Sequence, residues 1–523
     1  MCLSVRRSYR LAASLTAAAL LTSCIAVGPD FLHPAAPPVS RYTKEPIAPR
    51  TTSTDAPTGR PQRFAPGGDI PQQWWRLFRS PALNALIERA LRNNPNLQST
   101  MSALRAAKEA VYAQQGKFFP LAQANFNPTR QKTSAAVTPV PASGAQTFDL
   151  YTAQVTISYT LDVWGLNRRT VESLQAQADM QRYQVEAAYL TLTSNVAVAA
   201  ITEASLRGQI EATNQLIAAN RTMLDTLRKQ LETGYANRSD VAAQEAALAQ
   251  VEATLPPLRK ALAQTRDLLA ALVGGYPSEE PREVFKLAAL HLPEDLPVSL
   301  PSQLIEQRPD VRAAEEALHS ASAQVGIATA NMLPNFTINA NGGYMNTALA
   351  GLMNPANAFW LLGANVTQTV FDGGTLLHQR RQAEAAYDQA AWAYRAAVVG
   401  AVQNVADVLR ALQNDADALK AARDFERAAR TSFDLARQQV ELGNANVLLL
   451  LTAQSGYLNA LTAVVQARAN RLADTAALFQ ALGGGWWNRV EPPVEKILDV
   501  GTGESATLLD PQAVQVIDPY NFY

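Results

Sequence analysis

Two stretches of this chain repeat one another, and that repetition limits the fold more than any other feature. The pairs Pro95/Pro309, Pro120/Pro334, Asp162/Asp372, Gly234/Gly443, Asn237/Asn446 and Gly275/Gly485 keep step, with offsets between 209 and 214. A fold read without its internal repeat is misread as a whole. Each copy carries alternating apolar and polar positions first. A long proline-free tract of helical periodicity follows, ending at Glu232-Thr233-Gly234 in the first copy and Glu441-Leu442-Gly443 in the second. We therefore expect repeat 1 over 71–275 and repeat 2 over 309–485, joined by a linker at 276–308.

The strand signal is long. From Tyr151 to Val163 the odd positions are apolar (Val155, Ile157, Tyr159, Leu161), and the even ones are Thr, Gln, Ser and Asp. Alternation over such a length exceeds an ordinary globular strand of about five or six residues. In the second copy Phe336, Ile338 and Ala340 alternate with Thr337, Asn339 and Asn341, and Trp360, Leu362, Ala364 and Val366 form a fourth run. Residues 121–129 give the weakest member. Uncharged polar residues on one face and aromatics on the other suit a wall between water and lipid. We expect β-hairpins at about 121–163 and 335–371. The competing reading is two amphipathic hairpins packed on a soluble core.

Helices at 166–233, 237–274, 373–442 and 445–482 follow from the tracts beyond. Steps of four and three from Val185 visit Leu192, Val196, Ile210, Ile217, Leu224, Leu227 and Leu231, a heptad seam broken by Glu203, Thr213 and Asn220. Val398, Val402, Val405, Leu409, Leu412, Ala416 and Leu419 repeat it, and the register slips past Arg423. At 1.5 Å per residue the tract 166–233 is roughly 100 Å long. Asp162 and Asp372 stand where N-caps are needed. Gly234 and Gly443 mark tight reversals, and Pro256-Pro257 should kink or divide the first returning helix.

The amino terminus reads as an export signal over 1–23. Arg6, Arg7 and Arg10 precede an apolar run from Leu11 to Leu21, too short to span a bilayer. It ends in Leu21-Thr22-Ser23-Cys24, which resembles a bacterial lipobox and makes Cys24 the expected lipidation site. Cys2 leaves with the signal, so the mature chain has one cysteine and no internal disulfide. Ten prolines between Pro29 and Pro71 suggest a lipid-anchored, Pro-rich tether over 24–70. Residues 486–523 are expected to be irregular.

Lys+Arg and Asp+Glu stand at 45 each, which gives no hint of a nucleic-acid partner. His33, His291, His319 and His378 lack paired spacing, so no metal motif is visible. No nucleophile elbow is present, and the glycines at 483–485 lack the Lys-Ser/Thr of a phosphate loop. We expect no enzyme and no cofactor. Four strands cannot close a barrel, and an open edge is not viable in hydrocarbon, so the chain must oligomerise.

Taken together, Leu161-Asp162-Val163-Trp164-Gly165-Leu166-Asn167-Arg168-Arg169, Gln307-Arg308-Pro309-Asp310-Val311-Arg312, Phe371-Asp372-Gly373-Gly374 and the closing Leu482-Gly483-Gly484-Gly485 resemble the TolC-type outer-membrane efflux factors. With Cys24, the chain is most similar to the lipoprotein branch serving resistance-nodulation-division (RND) pumps, over roughly residues 70 to 485. The resemblance implies a mixed α+β membrane protein: a homotrimer with a twelve-stranded outer-membrane β-barrel, four strands per chain, continuous with a long periplasmic α-helical barrel. It implies a passive exit duct for small molecules such as drugs, joined to a periplasmic adaptor and an inner-membrane RND pump. A duct for protein secretion, or a periplasmic coiled-coil scaffold lipoprotein, are the alternatives. The family gate falls on Leu448, Leu449, Thr452 and Ser455. Relatives commonly place aspartate at the position of Thr452 and sometimes at that of Leu449. Their absence here points to an apolar Leu448 collar instead of an acidic constriction. The same resemblance assigns adaptor docking to the turns at Gly234, Tyr235, Gly443 and Asn444.

Overall fold

The computed structural model describes residues 26–36, 38–39, 41–134, 147–442 and 444–489. In chain order the elements are β1 (Arg63–Pro66), α1 (Pro81–Asn93), α2 (Pro95–Gln115), β2 (Leu121–Lys132), β3 (Thr147–Leu161), α3 (Leu166–Glu232), α4 (Arg238–Ala253) and α5 (Leu255–Leu272). There follow β4 (Asp295–Val298), α6 (Pro301–Gln307), α7 (Pro309–Ala330), β5 (Asn335–Asn346), β6 (Ala358–Thr367), α8 (Thr375–Glu441) and α9 (Val447–Ala481). Both α3 and α8 run for 67 residues, about 100 Å each at the α-helical rise.

Strands β2-β3-β5-β6 form one antiparallel sheet. Its register carries the alternation across all four strands. Ile157 pairs with Ala122 and Ala340, and Ala340 with Leu362. One step along, Ser158 pairs with Asn339 and Asn339 with Gly363. Because side chains alternate faces with period two, the apolar sets of all four strands fall on one side. Phe359 and Leu361, opposite Gly343 and Asn341, are apolar members of the other face. The outer strands β2 and β6 have no further strand partner among the described residues, and β2 is exposed along its whole length.

The seam of α3 is buried as its spacing predicts. Val196 is wholly buried, and so are the polar members Glu203 and Asn220. In α8 the seam from Val398 to Leu419 is closed. Buried positions then run Glu426, Ala429, Phe433, Ala436 and Val440: the seven-residue spacing from Val398 continues to Val440 in place of the expected slip, and only the intermediate members move, from four residues on to three. The main core lies at mid-height, where Trp74 stacks on Phe479 at 5.3 Å and Trp75, Phe78, Leu83 and Leu86 close around them. A second cluster near the helix tips joins Met223, Leu224 and Leu227 to Phe433, Val440 and Leu450.

Four expectations are corrected. Asp162 and Asp372 are not the N-cap residues: Gly165 and Gly374 hold those places, at φ +79° and +91°. Glycine is needed there because the chain turns through the left-handed region on leaving the sheet. The aspartates act from further back. The Asp162 carboxylate accepts from the Asn167 and Arg168 amides at 2.8 and 3.0 Å, and Asp372 from Gly374 and Leu376, both at 2.8 Å. The stretch 24–70 is not a free tether where described. Its prolines exclude helix but not pairing, and β1 lies parallel to β4. The Tyr42 hydroxyl also donates to the Ser299 carbonyl at 2.8 Å. The linker 276–308 likewise contains β4 and α6. Finally, Trp486–Asn488 form a short turn whose indoles are bonded to Gln307 O and Asp69; residues 490–523 lie outside the described residues. The first returning helix is divided at Thr254, just before Pro256-Pro257.

Candidate gate and docking tips

Helix α9 starts directly after the reversal that follows α8. Asn446 caps it, its side chain accepting from the Leu448 amide. The next residues divide by face: Val447, Leu450, Ala453 and Gln454 are buried in the tip cluster. Leu448 and Leu449 project away from it, 65% and 49% exposed. Thr452 and Ser455 share the uncovered side, and the Thr452 hydroxyl is turned onto the Leu448 carbonyl at 2.9 Å. All four expected gate residues thus lie on one uncharged, uncovered side of the first two turns of α9. Among the described residues nothing packs over these leucines closely enough to bury them.

The two reversals share one turn geometry. The Tyr235 amide donates to Gln230 O and the Asn444 amide to Gln439 O, both at 2.8 Å. These are the six-to-one bonds of a Schellman turn. Gly234, at φ +83°, has open space where a side chain would stand, and Tyr235 is 87% exposed. Asn444 is exposed as well; Gly443 lies outside the described residues.

Above the turns the hairpins are joined differently. In the first, Arg221 pairs with Glu252 and Arg228 with Glu245, each at 2.7 Å, and buried Gln244 donates to the Asn220 side chain at 2.9 Å. Further up, Glu203 is wholly buried between Arg207 and Arg266, at 2.7 and 3.0 Å, tying α3 to α5. In the second, every ion pair of the α8 stretch 423–441 stays within α8. No ion pair joins α8 to α9 among the described residues. Phe433 instead stacks on Tyr457 at 5.5 Å. At mid-height Asp415 faces Asp474. Burial, then the hydrogen bond and the charge of Asp474, push the Asp415 carboxyl up to about 7, against the opposing pull of Arg471.

Nothing among the described residues groups three or more His, Cys, Asp or Glu as a metal site. What the arrangement offers is a four-stranded wall and an uncharged, uncovered helix face near the tip. The family model for outer membrane efflux proteins matches residues 86–275 and 300–484, more than half of the sequence. The chain belongs to that family. Its members form exit ducts of tripartite efflux systems, and this chain is an outer-membrane efflux duct.

Curated relatives within the family agree. A toluene efflux pump outer membrane protein of Pseudomonas putida is 28% identical over 500 residues, spanning 92% of this chain and 98% of the relative. A pyoverdine export outer membrane protein of Pseudomonas aeruginosa is 29% identical over 428 residues, spanning 79% and 88%. The crystal structure of VceC from Vibrio cholerae superposes with a TM-score of 0.74 at 26% identity, covering 80% of this chain and all of that one.

Sequence reasoning missed three buried arginines. Arg169 is hydrogen-bonded to residues 26–30 and Glu172. Arg471 is wholly buried and donates to Thr51, Thr58 O and Arg60 O at 2.8–2.9 Å. Arg489 pairs with buried Glu186 and lies 4.0 Å from the Tyr189 ring centre. Apart from Glu172, three positions from Arg169, the partners cited lie 139 to 420 positions away, beyond the reach of any local pattern.

Proposed function

We propose that three copies assemble with β2 of one beside β6 of the next, closing a twelve-stranded barrel that continues as a tube of α3, α4, α5, α8 and α9. The observation that carries this reading is the four-stranded sheet with one aligned apolar side and two unpaired edges, each hairpin running into a helix about 100 Å long. Such edges in hydrocarbon require closure by further strands. The trimer conducts small molecules passively, with no catalytic step and no cofactor. The tips at Gly234, Tyr235, Gly443 and Asn444 dock a periplasmic adaptor, which links the duct to an inner-membrane RND pump. Cys24, outside the described residues, carries the lipid that holds the chain at the outer membrane.

The gate in this reading is an apolar collar of Leu448, backed by Leu449, Thr452 and Ser455. It closes by poor wetting. Leu448 is exposed in the single chain, so shortening it removes a pore-side contact and leaves the core intact. Leu448→Ser should raise single-channel conductance in planar bilayers with an unchanged melting temperature; unchanged conductance overturns the collar. The assembly is tested by cross-linking the detergent-purified protein and by heat-modifiable migration. A chain that stays monomeric and soluble without detergent removes the duct reading. Drug and solvent sensitivity of a deletion strain, restored by the wild-type gene, tests the export role.

A further inference from the structure

Between α9, the loop 56–60 and the linker stretch 287–295 lies a cavity of about 780 Å³. Its walls are tied to one another. The His291 amide donates to the Phe78 carbonyl at 3.0 Å, and the Arg63 amide to Glu294 O at 2.7 Å. Leu77, Leu287 and Leu290 give the cavity an apolar wall. Two lining residues hold an unusual backbone: among the described residues, Thr58 and Arg79 are the non-glycine positions at positive φ, +65° and +51°. A β-branched residue there is an outlier that persists only where its surroundings hold it, and such positions gather at ligand sites. The turn at Thr58 is held. The Thr54 amide donates to Gly59 O at 2.9 Å, and buried Arg471 donates to the Thr58 carbonyl at 2.8 Å.

The polar groups of this cavity lack acceptors. The Thr58 hydroxyl is buried with no hydrogen-bond partner among the described residues, and so are Nε and Nη2 of Arg468. Burial first, and the charge of Arg423 second, work against the charged form of Arg468. The carboxylates at the rim are already engaged: Glu294 with Arg60 at 2.9 Å, and Asp295 with Arg63 at 2.8 Å. Neither Arg79 nor Arg468 joins an ion pair among the described residues. Buried donors without acceptors are costly, and a buried charge more so. What the set calls for is an anion with several acceptor oxygens. A phosphate group answers a guanidinium fork and a hydroxyl together.

We propose that this cavity binds a phosphate group, grasped from within by Arg468 and the Thr58 hydroxyl and met at the opening by Arg79, Arg60 and His291. The last three are exposed, so an arriving anion finds them first. The cavity is far larger than a single phosphate, and its leucine wall can cover the body of a small organic phosphate. Every group named belongs to one chain. The site therefore stands apart from the gate and the tips, and does not depend on closure of the barrel.

The test is calorimetric titration of the full-length, detergent-purified protein in phosphate-free buffer, as wild type, Arg468→Gln and Thr58→Gly. The titrants are sodium phosphate, glucose 6-phosphate and glucose. Glycine at 58 keeps the left-handed turn and removes the hydroxyl, so a loss there is not a folding defect. We expect the wild type to bind one phosphate-bearing molecule per chain with a Kd below about 1 mM, and no glucose. Arg468→Gln should weaken binding at least about tenfold, and Thr58→Gly about three- to tenfold. Neither should lower the melting temperature of the ligand-free protein, since one removes an unpaired charge and the other a strained turn. If Arg468→Gln does not fold, Thr58→Gly decides alone. Phosphate binding as tightly as glucose 6-phosphate assigns free phosphate as the ligand; glucose 6-phosphate binding at least about tenfold tighter assigns an organic phosphate seated on the leucines. A wild type that binds neither phosphate overturns the site. So do glucose binding equal to that of its phosphate, and affinity left unchanged by the substitutions.

Discussion

The two helical hairpins share length and turn geometry, yet they are held together by different forces. The first is bolted by opposite charges: Arg221–Glu252, Arg228–Glu245 and buried Glu203 between Arg207 and Arg266. The second has no such bolt between α8 and α9 among the described residues. It relies on an apolar seam, the Phe433–Tyr457 stack, and two carboxylates facing each other at Asp415 and Asp474. The second hairpin also carries the exposed Leu448 and Leu449. A repeat can thus keep its backbone plan while assigning stiffness to one copy and compliance to the other.

The comparison breaks if the stack is not what holds the second hairpin. Phe433→Ala should cost about 3–5 kcal/mol, as expected when a buried aromatic leaves a cavity. Hydrogen exchange should then rise more over 430–457 than over 221–252; equal rises would show that the tip cluster is one cooperative unit. In the first hairpin, Gln244→Ala leaves the buried Asn220 oxygen without its donor. It should cost about 1–3 kcal/mol, read as a lower midpoint in urea.

A pH series sharpens the contrast. Burial and the neighbouring Asp474 raise the Asp415 carboxyl to about 7 in the folded chain, above its ordinary value of 3.8. The folded state therefore binds more protons than the unfolded one between those values, and stability falls as pH rises through that window. The second hairpin should loosen between about pH 4 and pH 7, the two carboxylates repelling once both are charged. Asp415→Asn should flatten that dependence in thermal melts, while the first hairpin keeps its own profile. The smallest effect belongs to Arg228→Ala. Both members of that pair are about half exposed, so the loss should be about 0.2–1 kcal/mol and fade with added salt.

Much of the fold was legible because it is periodic. Thirteen residues of alternation around Val155 and Ile157 announce a strand whichever partner it finds, and a seam such as Val398 to Leu419 announces a helix that must be covered. What periodicity could not show is contact between distant segments. The 24–70 stretch looks like a spacer by its prolines, yet Arg471 binds it through carbonyls that every residue type carries. The helix starts were placed within two residues, but their caps were misread, because aspartate is a strong cap signal and the glycine that makes the turn follows it. The gate was assigned by resemblance and its lack of charge read from the sequence; the structure adds that Leu448, Leu449, Thr452 and Ser455 are uncovered.

Among the described residues the outer rows of amide and carbonyl groups on β2 and β6 have no strand partner in the single chain. Any newly exported copy is consequently adhesive along both rims before it finds its neighbours. Productive association and clumping then draw on the same surface, so yield should depend on how quickly copies meet and on what shields them meanwhile.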